Sequence, residues 1–299
     1  IEIAVKKAVE SIDKLKKRIA DAGKDCNTLS DLLRREPLLK GAGAEASALK
    51  QGIMSTLQQH CREKAIKEAR NLCPGQRPKE LAPEMVLVFD ASGSMRFSLN
   101  VTEQEIKQAG AAEAMSNMMR QFGLGIPGGG GGAVLERLTR EPRRITVARR
   151  AAASVVQRVP SDMNIGLVLV EQCSSARSVG FFSPGQRGSL IGQIQGIEPR
   201  AGTPLADGIA KGGAMVDGVK REALMVVVSD GVESCGQDPC AVASALARSK
   251  PYLKINVVDI TGTGAGNCVA AATGGKVFTA NSPDEVVASE LFTSANHLT

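Results

Sequence analysis

Three short stretches hold the residues that could do chemistry. Asp90-Ala91-Ser92-Gly93-Ser94 offers one carboxylate and two hydroxyls at alternating positions, spaced by residues small enough for a tight turn. Gly202-Thr203-Pro204 adds a hydroxyl just before a proline suited to the first position of a helix. Ser229-Asp230-Gly231 adds a second carboxylate. Oxygen donors with no His or Cys beside the first motif suit a hard divalent cation, Mg²⁺ first, with Mn²⁺ or Ca²⁺ as alternatives. Alone, D-x-S-x-S reads first as capping and turn chemistry. The two downstream stretches tip the reading towards a metal.

The segments before the two aspartates explain how they could meet. Met85-Val86-Leu87-Val88-Phe89 and Leu224-Met225-Val226-Val227-Val228 are short unbroken apolar runs, the signature of strands buried on both faces. In an open parallel sheet, ligands bind beyond the carboxyl ends of the strands, where the strand order reverses. Asp90 and Asp230 would both stand there, and two such charges balance one divalent ion.

On these residues the chain resembles a von Willebrand factor A domain with a metal-ion-dependent adhesion site. The family's D-x-S-x-S motif falls on Asp90, Ser92 and Ser94, its separate Thr on Thr203 and its separate Asp on Asp230. The match spans roughly residues 83–295. The resemblance implies an α/β fold, a doubly wound and mainly parallel central sheet flanked by helices. It implies Mg²⁺ held directly or through water by the five side chains, and an open coordination position that takes an Asp or Glu carboxylate from a protein partner. The function implied is a metal-dependent protein-binding module for adhesion or scaffolding, of bacterial type. An intracellular adaptor or chaperone partner of an ATPase is the alternative, and a metal-dependent hydrolase ranks below both.

Catalysis lacks its parts. A nucleophilic serine needs a base, and the only histidines, His60 and His297, lie outside the sheet segments. A phosphoryl-transfer aspartate would call for D-x-D, but position 92 is Ser. The glycine run at 128–132 lacks the G-x-x-x-x-G-K-[ST] pattern of a phosphate loop. The expected protein is not an enzyme.

Composition narrows the partners. Aromatic residues make up 3% of the 299 residues and Trp is absent, which argues against a surface for stacking nucleic-acid bases. The net charge of +6 sits entirely in residues 1–80, with 17 Lys/Arg against 11 Asp/Glu. A basic face there would suit nucleic acid or anionic lipid, although the solvated face of helices accounts for it better. No apolar stretch reaches the length of a membrane span. The chain begins at Ile1, which suggests an upstream signal or anchor.

Seven cysteines point to an oxidising, extracytoplasmic compartment, whether periplasmic, secreted or membrane-anchored. Cys235-Cys240 would close a short loop after Asp230, and Cys173-Cys268 would form a second bridge. Cys26, Cys61 and Cys73 stay unassigned, with Cys61 also fitting a buried helical stripe as a reduced thiol.

Residues 1–80 read as a helical hairpin or stalk ahead of the sheet domain. Val5, Val9, Ile12, Leu15 and Ile19 form one stripe of a helix ending near Gly23, and a short helix over 29–35 follows. Leu49, Ile53, Leu57, Cys61, Ala65 and Ala69 form the stripe of one long helix from 44 to about 72. An insertion at about 96–144 separates the Asp90 turn from the first long sheet-domain helix, predicted over 145–159. It carries a predicted helix over 102–122 with Met115, Met118 and Met119, then the glycines, and it would gate the ligand face or be a plain surface excursion. Beyond it the spacing predicts strands at 164–170, 176–182 (an antiparallel edge), 254–260 and 276–279. The matching helices fall at 186–197, 204–216, 238–250, 267–273 and 283–294. Removing either aspartate is expected to leave the fold intact.

Overall fold

The structure, a computed structural model, describes residues 2–279 apart from 42, 73, 122–130, 174, 232 and 265. Among the described residues six strands form one sheet: β1 (Glu84–Asp90), β2 (Ile165–Val170), β3 (Arg177–Phe182), β4 (Ala223–Ser229), β5 (Leu253–Asp259) and β6 (Val277–Thr279). Their spatial order is β3-β2-β1-β4-β5-β6. All neighbours pair in parallel except β2 and β3, so β3 is the antiparallel edge that its short, half-exposed pattern predicts. The chain runs outward from β1 through β2 to β3, then returns to lay β4 on the other side of β1. The strand order therefore reverses between β1 and β4.

Helices cover both faces, which is why the central strands are apolar throughout. Met85, Leu87 and Phe89 pack with α7 (Arg144–Arg158) and α8 (Arg187–Gln195). The alternate residues Val86 and Val88 pack with α9 (Leu205–Met215), α10 (Pro239–Ser249) and α11 (Asn267–Ala272). The period-two alternation of the strand thus feeds two cores at once. Helix α9 lies hard against the sheet: a Cβ on Gly208 would stand 2.5 Å from Val170 Cγ2 and 3.2 Å from Val88 Cγ1. α10 starts cleanly because the Asp238 carboxylate accepts the N–H of Cys240 and Ala241.

The N-terminal helices, α1 (Glu2–Ala22), α2 (Cys26–Arg35), α3 (Ala44–His60) and α4 (Arg62–Ala69), enclose a separate core around Leu15, Leu29, Ile53, Met54, Leu57 and Ile66. The single long helix read over 44–72 is in fact two. Cys61 leaves the helical region at φ −142° and ψ 51°, and its sulfur is bonded to Cys26 at the start of α2. This segment meets the sheet at the amino ends of its strands. Leu81, just before β1, and Tyr252, just before β5, pack against the helical core. Arg70 pairs with Glu222 at the start of β4, and Arg77 with Asp162 ahead of β2.

The insertion contains α5 (Glu103–Gln121) and α6 (Gly131–Leu138), linked by an Arg137–Glu105 ion pair. Its ends are drawn together by the Ser98–Arg143 bridge. Met115, Met118 and Met119 are exposed. The helix expected over 283–294, His297, Cys73 and most of the glycine run lie outside the described residues.

Candidate metal centre

Asp90 is the last residue of β1, and Asp230 follows the last residue of β4. Because these strands are parallel neighbours with Phe89 opposite Val228, both carboxylates emerge at the carboxyl edge where the strand order reverses. Asp90 Oδ1 accepts the Ser92 N–H at 2.8 Å, which turns the chain, and Oδ2 accepts the hydroxyl of Ser229. Ser92 Oγ lies 3.0 Å from Ser94 Oγ, and the Ser94 hydroxyl donates to Asp230 Oδ1 at 2.9 Å. The two motif serines thus connect the two aspartates in one hydrogen-bonded chain.

Thr203 joins from a third direction. Arg200 N–H donates to Ala91 O at 2.7 Å, holding the 200–203 loop to the Asp90 turn. Thr203 N–H donates to Ser234 Oγ at 2.8 Å and Ser234 N–H returns a bond to Thr203 O at 3.1 Å, holding the same loop to the segment after Asp230. Asp90, Ser92, Thr203 and Asp230 are buried and Ser94 is half-buried. All five residues singled out by sequence belong to loops that converge on this edge.

Burial, with repulsion from Asp230 second, pushes the Asp90 carboxyl up to about 7 against the opposing bonds from Ser229 and Ser92. Burial also raises Asp230, opposed by Arg144 and Ser94. Arg144 Nη1 stands 2.8 Å from Asp230 Oδ2 with both side chains buried. Asp90 has no ion pair among the described residues. Two buried carboxylates, of which only Asp230 is paired with a guanidinium, and a hydroxyl pair bridging them fit a hard divalent cation. No group of three His, Cys, Asp or Glu able to hold a metal occurs among the described residues. The candidate centre has only two carboxylates and draws its other oxygens from hydroxyls, so it is not a group of that kind.

Three functional neighbours escape sequence reasoning. Ser229 could have been found, since it directly precedes Asp230. Glu233, whose carboxylate accepts Ala206 N–H and Cys235 N–H at 2.8 Å each, braces the start of α9 against the 233–235 loop. Arg144 sits at the far end of the insertion, and nothing local marks it.

The disulfides correct the expected pairing. The same four cysteines are bonded, but as Cys173–Cys235 and Cys240–Cys268, not as Cys235-Cys240 and Cys173-Cys268. Cys235 lies in the loop after β4 and faces the loop after β2, whereas Cys240 lies in the first turn of α10, next to α11 and Cys268. The Cys173–Cys235 bridge ties two loops beside the centre. Gly202 fits against it at φ +94°, where a Cβ would come within 2.7 Å of Cys173 N and Sγ. Cys26–Cys61 is the third bridge.

No protein-family model matches the sequence. A stretch of 174 residues is 25% identical to the uncharacterized protein YwmD of Bacillus subtilis (strain 168), covering 52% of this chain and 77% of that protein. Among solved structures the chain is similar to an aerotolerance-related membrane protein from Bacteroides fragilis NCTC 9343, at 14% identity and TM-score 0.48, covering 71% of this chain and 100% of that one. It is similar to a von Willebrand factor type A protein from Catenulispora acidiphila, at 14% identity and TM-score 0.47, covering 72% and 43% of the two chains. A further likeness, at 14% identity and TM-score 0.43 over 69% and 45% of the chains, is to mussel byssus proximal thread matrix protein 1 with a zinc-occupied adhesion-site motif.

Proposed function

We propose that the carboxyl edge of the sheet is a metal-dependent protein-binding face. Asp90, Ser92, Ser94, Thr203 and Asp230 would hold the divalent cation, Mg²⁺ in the first instance. The observation that carries the reading is the hydrogen-bonded chain Asp90, Ser92, Ser94, Asp230, which leaves the buried Asp90 carboxylate facing Asp230 with no cation of its own. When bound, the ion supplies positive charge and a coordination position for an Asp or Glu of a partner.

The rim supports an acidic partner. Arg96 is exposed beside Gly93, and the Arg200 side chain, on the loop that touches Ala91, is 63% exposed. The role is binding and not catalysis: Ser92, Ser94 and Ser229 are engaged with carboxylates or with each other, and His60 is at the far end of α3 in the helical segment. The three disulfides support an oxidising, extracytoplasmic compartment. No helix among the described residues is long and apolar enough to cross a membrane. With the N-terminal helices on the amino ends of the strands, the segment reads as a base that leaves the opposite edge open to a partner.

Calorimetric titration with Mg²⁺ and Mn²⁺ tests the reading. One saturable ion in the wild type, lost in Asp90→Asn, is the expected outcome, followed by ion-dependent binding of an acidic peptide. Absence of any saturable binding in the folded wild type refutes it.

A further inference from the structure

Among the described residues, Arg144 is the cation that the centre already contains. Its Nη1 reaches Asp230 Oδ2 and Glu103 Oε1, both at 2.8 Å, and Nη2 donates to Val101 O at 3.1 Å. Its Nε is buried without a hydrogen-bond partner. The two carboxylates it bridges differ sharply: the Asp230 side chain is 0% exposed and that of Glu103 is 54% exposed. Glu103 is the first residue of α5, a helix exposed along most of its length. One nitrogen therefore spans from the buried centre to the insertion.

We propose that Arg144 is a tethered counter-cation that competes with a divalent ion for Asp230 and, through Glu103, couples occupancy of the centre to the position of α5. The inference rests on the reading of this edge as a metal centre. In the ion-free protein the guanidinium neutralises Asp230. Once Asp230 turns an oxygen to a divalent ion, the guanidinium lies close to a second positive charge in a buried setting, where repulsion is weakly screened. Its bonds to Glu103 and Val101 O, on the insertion side, survive that change. Arg144 then withdraws towards α5, which has few packing contacts to hold it in place. By linkage, anything that captures α5 and draws Arg144 outward must tighten ion binding by the same factor. The exposed Met115, Met118 and Met119 lie on that helix.

The test is Mn²⁺ calorimetry, with hydrogen exchange of 103–121, on the full chain as wild type, Arg144→Gln, Glu103→Gln and the double variant. Arg144→Gln should bind Mn²⁺ about tenfold tighter, the equivalent of about 1.4 kcal/mol. Glu103→Gln should bind several-fold more weakly, because the guanidinium loses its second partner and stays on Asp230. In the Arg144→Gln background the Glu103 substitution should have no further effect, whereas a plain through-space charge effect would persist. Mn²⁺ should alter exchange in α5 of the wild type and in neither single variant. Equal affinities with an unresponsive α5 overturn the counter-cation and leave the metal centre standing. Absence of saturable binding in all four folded chains overturns the metal centre and the inference with it. Should Arg144→Gln not fold, Glu103→Gln decides: affinity at or above wild type, or an undiminished α5 response, overturns the proposal.

Discussion

Replacing each aspartate by asparagine in ion-free protein should produce unequal results, because the two carboxylates have different partners. Asp230 forms a buried ion pair with Arg144, and removing one member leaves the other charge uncompensated, at a cost of about 3–5 kcal/mol. Glu103 still touches the same Arg144 nitrogen, but that carboxylate is half exposed and its attraction is screened, so the lower end of the range, about 3 kcal/mol, applies. Asp90 has no such partner. Its asparagine keeps an oxygen for the Ser92 N–H, and the change removes a like charge facing Asp230, so Asp90→Asn should alter stability by no more than about 1 kcal/mol. Urea unfolding with chelator, at a mildly alkaline pH, measures the difference through the midpoint at constant m. Adding Arg144→Met to Asp230→Asn should restore most of the loss, since the orphaned charge is gone. A loss below about 1 kcal/mol for Asp230→Asn, or equal losses for the two variants, would falsify the claim that the ion pair distinguishes them. The same unfolding series tests the sequence-based expectation that removing either aspartate leaves the fold intact.

Other outcomes follow from single features. Replacing Cys173 and Cys235 by Ser opens a bridge across a sequence separation of 62, which chain entropy values at about 4 kcal/mol; equilibrium unfolding should show it, together with weaker Mn²⁺ binding as the Ser234 support of Thr203 loosens. Asp238→Ala removes the acceptor for two N–H groups at the start of α10 and should cost about 1 kcal/mol in the same assay, so an unchanged midpoint would count against the cap. Burial holds the Glu222 carboxyl above its ordinary value of 4.5 despite the opposing charges of Arg70 and Arg77. The folded protein therefore binds this proton more tightly than the unfolded chain, and the stability it contributes is present below 4.5 and lost as pH rises through the folded value. Glu222→Gln should gain on the wild type as pH increases over that window, and a constant or shrinking difference would contradict the assignment.

Much of this protein is legible in local sequence. Unbroken apolar runs mark the buried strands because the doubly covered sheet asks for nothing else. The half-polar pattern of 177–182 marks an edge, and the small residues between Asp90, Ser92 and Ser94 mark a turn that gathers oxygens. These signals span a few residues and depend only on side-chain period and turn chemistry. What tertiary structure decided is which of several equivalent groups meet. Asp259 ends β5 after a Val-Val pair much as Asp90 ends β1 after Val-Phe, yet its oxygens are spent on the N–H groups of Thr261, Gly262 and Gly264, shaping its own loop. Cys235 is five positions from Cys240 but bonds Cys173, because the loops after β4 and β2 converge while Cys240 faces α11. Cys61 sits on a helical stripe and still breaks its helix, through a bond to Cys26 that no periodicity encodes. Arg144 is one of many arginines in the sequence, and only the return of the insertion to the edge between β1 and β4 places it on Asp230. Period and turn chemistry act within a segment, whereas the pairing of charges and thiols depends on strand order, which brings together residues far apart in the chain.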